Sequence, residues 1–409
     1  MADLRTILMR VSGRDRPGIT ATLLGVIAGA GVEVYDMEQV VVRERLTLDI
    51  LLGVDDGNDV LKELLYAAWE LGVEAEFEDV EPESARAGLP RHAVTVVGLP
   101  LKAAGLEAVT RAIATAGGNI DRIERLSRYP VISFEFVVVD GEIETMRREL
   151  LAVAATHGLD VAVQPERLER RAKRLVMLDV DSTLIQDEVI DLLADVAGHG
   201  AEVSAITARA MAGELDFQQS LEQRVALLAG TPTSAFDEAW KRLTLTPGAR
   251  TFVRTLKRLG YRVGIVSGGF QDIADRLAAE LGLDHAVANV LEQEDGVLTG
   301  RLAGPIVDRA RKAEVLREIA EANDIPMEQT VAVGDGANDL DMLGVAGLGI
   351  AFNAKPVVND AADASLSVPY LDAILFLLGI RREEVERADA SDPDAPTAPP
   401  PHVPGTPPV

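Results

Sequence analysis

Apolar and polar positions along the first part of the chain switch repeatedly between a period near two and a period near 3.6. Thr6–Val11 is a short apolar strand, Ile19–Gly31 has helical spacing, and Val34–Val42 with Arg45–Leu52 alternates as a β-pair. Val60–Leu71 returns to helical spacing and Val73–Phe77 closes the series as a strand. The pattern predicts βαββαβ, and it recurs from Ala93: strand 94–97, helix 106–116, strands 120–127 and 131–139, helix 146–157, strand 161–163. The segment AGAGVEVYDME at Ala28–Glu38 aligns with ATAGGNIDRIE at Ala114–Glu124, an internal repeat with a period of 86 residues.

Beyond the repeats the pattern changes. Four short, continuously apolar segments, Leu175–Leu178, Arg262–Val266, Thr330–Val333 and Leu348–Ala351, alternate with helical stretches. Such segments predict a parallel sheet covered on both faces, with any ligand at the carboxyl ends of its strands. The first two of these strands are separated by far more chain than a single crossover helix needs. The excess reads as helices over 188–196, 202–212, 217–229 and 234–243, a small helical cap over the strand ends. Polar stretches at Glu81–Arg91 and Arg167–Arg174 read as boundaries. The expected organisation is a repeat over 1–82, a second over 90–166, an α/β domain over 172–380 with its cap over about 186–245, and a proline-rich disordered tail over 389–409.

Composition narrows the chemistry. The 409 residues contain no cysteine and five histidines, which excludes disulfides, thiolate catalysis and sulfur-held zinc and leaves a hard cation on carboxylates as the expected metal. A formal charge of −26 repels nucleic-acid phosphates and anionic membranes, so neither is an expected partner. The uncharged run Pro17–Val32 is broken by glycine and threonine and is shorter than the ~18–20 apolar residues of a membrane span. With no secretory signal visible, a cytoplasmic location is expected.

Each expected strand end of the α/β segment carries polar residues: Asp179-Val-Asp181-Ser-Thr, Ser267-Gly268-Gly269, and Gly334-Asp335-Gly-Ala-Asn338-Asp339, with Lys312 ahead of a helix. Singly, each has an ordinary reading as a turn, an N-cap or a solvated lysine. Together, four loops at one rim supply carboxylates, a hydroxyl, a glycine pair and an ammonium.

This set resembles the haloacid dehalogenase superfamily of phosphatases, whose motifs are matched at Asp179–Thr183, Ser267, Lys312 and Asp335–Asp339. The resemblance implies a Rossmann-like α/β sheet. It also implies Asp179 as nucleophile, Asp181 as general acid and base, and Mg²⁺ held by Asp179, the main-chain carbonyl of Asp181 and Asp335, with Asp339 as a ligand or an outer-shell residue. Ser267, the N–H of Gly268 and Lys312 would hold phosphate oxygens. Within the cap, Glu188 and Arg224 stand where phosphoserine phosphatases place a carboxylate for the substrate ammonium and a guanidinium for its carboxylate; Met211, Phe217 and Asn338 also fit that group. The implied activity is hydrolysis of phosphoserine to L-serine, the last step of serine synthesis. Alternatives are another small phosphate ester as substrate, or an amino-acid sensor with a vestigial catalytic domain. The two N-terminal repeats resemble ACT domains, ferredoxin-like modules that bind amino acids at paired interfaces. Asp15-Arg-Pro-Gly18 matches their first loop, and the second copy, Leu99–Gly105, lacks it. The resemblance implies an amino-acid effector, with L-serine as the candidate, and a homodimer through the ACT domains.

Overall fold

The computed structural model describes residues 4–55, 59–81, 88–167, 170 and 172–392. They divide into two compact units that meet at 88/89 in the chain. The first unit consists of β1 (Leu4–Arg14), α1 (Ile19–Gly29), β2 (Glu33–Val42), β3 (Arg45–Asp55), α2 (Val60–Leu71) and β4 (Glu74–Asp79). Its antiparallel sheet has the order β2-β3-β1-β4. One face is apolar because alternate residues of β3, Leu46, Leu48, Ile50 and Leu52, meet Leu23 and Ile27 of α1 and Leu64 of α2. All ten residues of the edge strand β2 are exposed.

The second unit opens with the other repeat: β5 (Arg91–Gly98), α3 (Ala103–Thr115), β6 (Asn119–Ser127), β7 (Ile132–Val139), α4 (Ile143–His157) and β8 (Asp160–Pro165). The α/β segment follows with β9 (Leu175–Leu178), then the cap helices α5 (Val189–Ala197), α6 (Gly200–Met211), α7 (Phe217–Ala226) and α8 (Ala235–Arg242). After the cap come α9 (Ala249–Arg258), β10 (Arg262–Phe270), α10 (Gln271–Leu281), β11 (His285–Glu294), β12 (Val297–Ala303), α11 (Arg309–Ala322) and β13 (Thr330–Gly334). The chain closes with α12 (Leu340–Val345), β14 (Gly349–Phe352), α13 (Pro356–Asn359), β15 (Ala364–Leu366), α14 (Ile374–Leu377) and α15 (Arg382–Ala390).

One sheet runs through the whole second unit, in the order β12-β11-β10-β9-β13-β14-β15-β8-β5-β7-β6. β9 lies at the centre of the α/β half, parallel to β10 and to β13. Its four residues are all buried and alternate between two cores: Val176 and Leu178 in one layer, Leu175 and Met177 in the other.

Several features depart from the sequence reading. The hairpin β11–β12 and the short strand β15 carry too little apolar periodicity to stand out. Within the boundary expected at 167–174, Arg170 is buried in an ion pair with Glu135 of β7, and Lys173 donates to the carbonyl of Glu328. Asp389 and Ala390, placed in the expected tail, belong to a helix: α15 carries the chain to Ala390 and Asp389 pairs with Arg254 and Arg258; the rest of that segment, from 393 on, lies outside the described residues. Lys312 lies inside the first turn of α11 and is fully buried, where a lysine read from sequence would be solvated.

Candidate active site

Asp179 is the first residue beyond β9, and its N–H donates to the carbonyl of Val333 on β13 at 2.8 Å. The ladder thus fixes the residue where two parallel strands end. The chain then makes one wide turn, closed by Ile185 N–H to the carbonyl of Val180 at 3.0 Å, with Ser182 at φ 57°. That turn brings Asp181 back over the strand ends. One Asp181 oxygen accepts from the N–H of Val189 at 2.8 Å and the other from Ser267 Oγ at 3.2 Å. The acid is thereby tied both to the start of α5 and to the loop of β10.

The two chain passages into and out of the cap are joined to each other. Ile185 bridges Leu245, the N–H of Gln186 donates to Thr244 at 2.9 Å, and the N–H of Thr244 donates to Asp187 at 2.7 Å. The cap is therefore hung on a paired stem.

Lys312 reaches the site from beneath and donates 2.7 Å hydrogen bonds to Asp179 and Asp339. Asp339 also accepts from the N–H of Gly336 at 2.9 Å, so it clamps both the lysine and its own loop. A side chain at Gly334 would meet Asp339 Cγ at 2.4 Å, so only glycine allows this turn. Asp335 accepts from Thr183 Oγ1 at 3.1 Å.

Oxygen atoms of Asp179, Asp335 and Asp339 lie within 4.8 Å of one another. This all-oxygen donor set, with one lysine against three acids, fits a hard divalent cation. Burial, followed by Asp339, raises Asp179 well above the carboxylate range, and burial with Asp339 raises Asp335 to about 6. Burial and the charge of Glu188 push Asp181 to about 7. Burial opposes the charge on Lys312, but Asp179 and Asp339 outweigh it and raise the ammonium above its ordinary value.

Ser267 accepts from the N–H of Gly269 at 2.8 Å. The Ser-Gly-Gly loop is held by Asn289, a residue the sequence reading missed. Its side chain donates to the carbonyl of Gly268 at 2.8 Å and accepts from the N–H of Val307 at 2.7 Å, and it is almost fully buried. A polar residue inside the apolar run of β11 was the one available signal.

Above these groups opens a cavity of about 780 Å³ lined by Asp179, Asp181, Gly268, Asp335 and Asn338 at its floor and by Glu188, Phe217 and Arg224 on the cap side. Ser182 donates to Glu188 at 2.9 Å, and Phe217 packs over Gly268. The side chain of Met211 is outside the described residues. In the first unit Gly18 starts α1 at φ 97°, a left-handed conformation that suits glycine, and Asp15 is exposed.

The haloacid dehalogenase-like hydrolase family matches residues 176–344, and ACT domains match 5–78 and 90–164. The chain is 53% identical to the phosphoserine phosphatase of Streptomyces coelicolor and 50% identical to phosphoserine phosphatase SerB2 of Mycobacterium tuberculosis. Each match spans 95% of this chain and 95–96% of the relative. Among solved structures, a haloacid dehalogenase family hydrolase from Salmonella enterica serovar Typhi superposes with a TM-score of 0.63 at 29% identity, covering 70% of this chain and 98% of its own. A probable phosphoserine phosphatase from Vibrio cholerae superposes with a TM-score of 0.57 at 34% identity, covering 72% and 88%. The chain belongs to the phosphoserine phosphatase family of haloacid dehalogenase-like hydrolases, in a form carrying two N-terminal ACT domains.

Proposed function

We propose that this protein hydrolyses O-phospho-L-serine to L-serine and phosphate, as the enzyme that completes serine synthesis. The observation that carries the reading is the two-ended cavity. Its floor is built for a phosphoryl group, and its cap side presents a carboxylate and a guanidinium at Glu188 and Arg224. An α-amino acid offers the complementary ammonium and carboxylate.

In the first step Asp179 attacks phosphorus and forms an aspartyl-phosphate, while Asp181 gives its proton to the departing serine oxygen. Burial and the charge of Glu188 raise the pKa of Asp181, which favours the protonated form that this step needs. Water then attacks the phosphoaspartate as Asp181 takes back a proton. Lys312, Ser267 and the N–H of Gly268 hold the non-bridging oxygens as charge develops. Mg²⁺ is the cation the donor set suits best, held by Asp179, Asp335 and the carbonyl of Asp181; it would offset repulsion between carboxylate and phosphate. Asp339 supports Lys312 and the loop of Asp335.

The first repeat fits an amino-acid effector at the Gly18 loop and a homodimer contact at β2; L-serine, the product, is the effector we favour. Nothing in this chemistry requires a membrane, and among the described residues no helix is long and apolar enough to cross one; we place the enzyme in the cytoplasm.

Asp179→Asn tests the reaction. It keeps the shape of the side chain and should lower kcat for phosphoserine by at least about 10³-fold with little change in thermal unfolding. Turnover within tenfold of the parent would remove the mechanism, and a panel in which phosphoserine is no better than unrelated esters would redirect the substrate.

A further inference from the structure

Arg224 is placed in an unusual way for a guanidinium among acids. It sits near the end of α7, half-buried, and among the described residues it forms no ion pair; its side chain donates one long 3.4 Å hydrogen bond to the carbonyl of Ser220. Three carboxylates lie within its field, those of Asp191, Glu188 and Asp181. Glu188 accepts a hydrogen bond from Ser182 at 2.9 Å. Glu188 is the N-cap of α5 and Asp191 lies in the first turn of that helix, and both line the same cavity as Arg224. The hydrolysis described above gives Asp191 no part.

We propose that Asp191 is a positioning residue for Arg224: it keeps the guanidinium poised between two helices, so that Arg224 does not collapse onto Glu188 in the empty site. The inference rests on the phosphoserine reading. A direct Arg224–Glu188 pair would quench both receptors at once, the one for the ammonium and the one for the carboxylate. Asp191, in the first turn of α5, is a second acid for the guanidinium, so that Arg224 is not drawn to Glu188 alone and its fork stays free to meet a carboxylate in two parallel hydrogen bonds. An acid in the first turn of a helix also favours the helix dipole, a structural role that the test must separate.

The experiment compares phosphoserine with p-nitrophenyl phosphate, which has neither the ammonium nor the carboxylate, in the full-length enzyme. Asp191→Asn should raise KM for phosphoserine about five- to tenfold with kcat within about twofold, and should move KM for p-nitrophenyl phosphate far less. Asp191→Glu should restore much of the loss, and in an Arg224→Ala background Asp191→Asn should add nothing. Equal changes for both esters, or full additivity with Arg224→Ala, would overturn the proposal and leave Asp191 a helix-stabilising acid. A parent enzyme that did not prefer phosphoserine would instead defeat the underlying function.

Discussion

Gly269 shows how little room the site leaves at the scale of one residue. A Cβ there would stand 3.0 Å from Asp181 Oδ2 and 3.0 Å from Ser267 Oγ, the two groups proposed to act on the substrate oxygen and the phosphate. Gly269→Ala should therefore lower kcat by about tenfold or more, because sub-ångström displacement of an acid is felt directly in the transition state. Thermal unfolding should fall by only a few degrees; unchanged kcat with the alanine present would mean that the loop yields freely. The same crowding explains what sequence could and could not say. Asp179, Ser267, Lys312 and Asp335 were legible because their residue types stand in a fixed order along the chain. Asn289 was not, because it acts through two backbone groups, on Gly268 and Val307, that only folding brings beside it.

Elements were legible wherever one apolar period dominated. β9 could be read to the residue because a central parallel strand is buried on both faces, and the cap helices because each keeps one apolar stripe. The hairpin β11–β12 mixes polar and apolar residues on a sheet margin and gave no such signal. α15 was lost inside a charged, proline-flanked stretch because its anchor is ionic: Arg254 grips Asp389 with bonds of 3.1 and 2.7 Å, and Arg258 adds another at 2.5 Å. Burial alone would raise Asp389, but the two arginines win and hold it below its ordinary 3.8. A carboxylate depressed in the folded state contributes stability above its unfolded pKa and loses it as pH falls through the folded one. Amide protection across Arg382–Ala390 should therefore drop about fivefold between pH 6 and pH 3, after correction for intrinsic exchange. Asp389→Asn should show the lower protection already at pH 6. Equal protection at both pH values in the parent would mean that apolar contacts of Val385, not this fork, hold the helix.

The two repeats, alike in sequence, have different fates in the whole molecule. The second is built into the catalytic sheet: β8 pairs with β15, Gln164 donates to the carbonyl of Leu377 at 2.9 Å, Ser367 donates to Asp160 at 2.8 Å, and Val97, Leu126, Val131 and Ala162 belong to the same core as Ile374 and Leu375. Its open sheet face is thus already covered by the chain itself. The first repeat keeps β2 bare, with Val34, Tyr35, Met37, Val40, Val41 and Val42 all exposed. An edge strand of that length and apolarity invites pairing with another strand. If the proposed homodimer forms through β2, Val40→Lys with Val42→Lys should leave the protein monomeric in light scattering while sparing hydrolysis. A dimer that survives both lysines would place the interface elsewhere.

Residue order along the chain was enough to specify the chemistry, because a phosphoryl-transfer site needs particular residue types at strand ends and parallel strands announce themselves by continuous apolar runs. It also specified the repeat, since duplication leaves matching periods. Tertiary structure alone decided which repeat would be absorbed into the catalytic sheet and which left open, where Lys312 would be buried, and which acids would stand around Arg224. Those outcomes depend on contacts between residues tens to hundreds of positions apart, whose energies are set by burial and by distance through space.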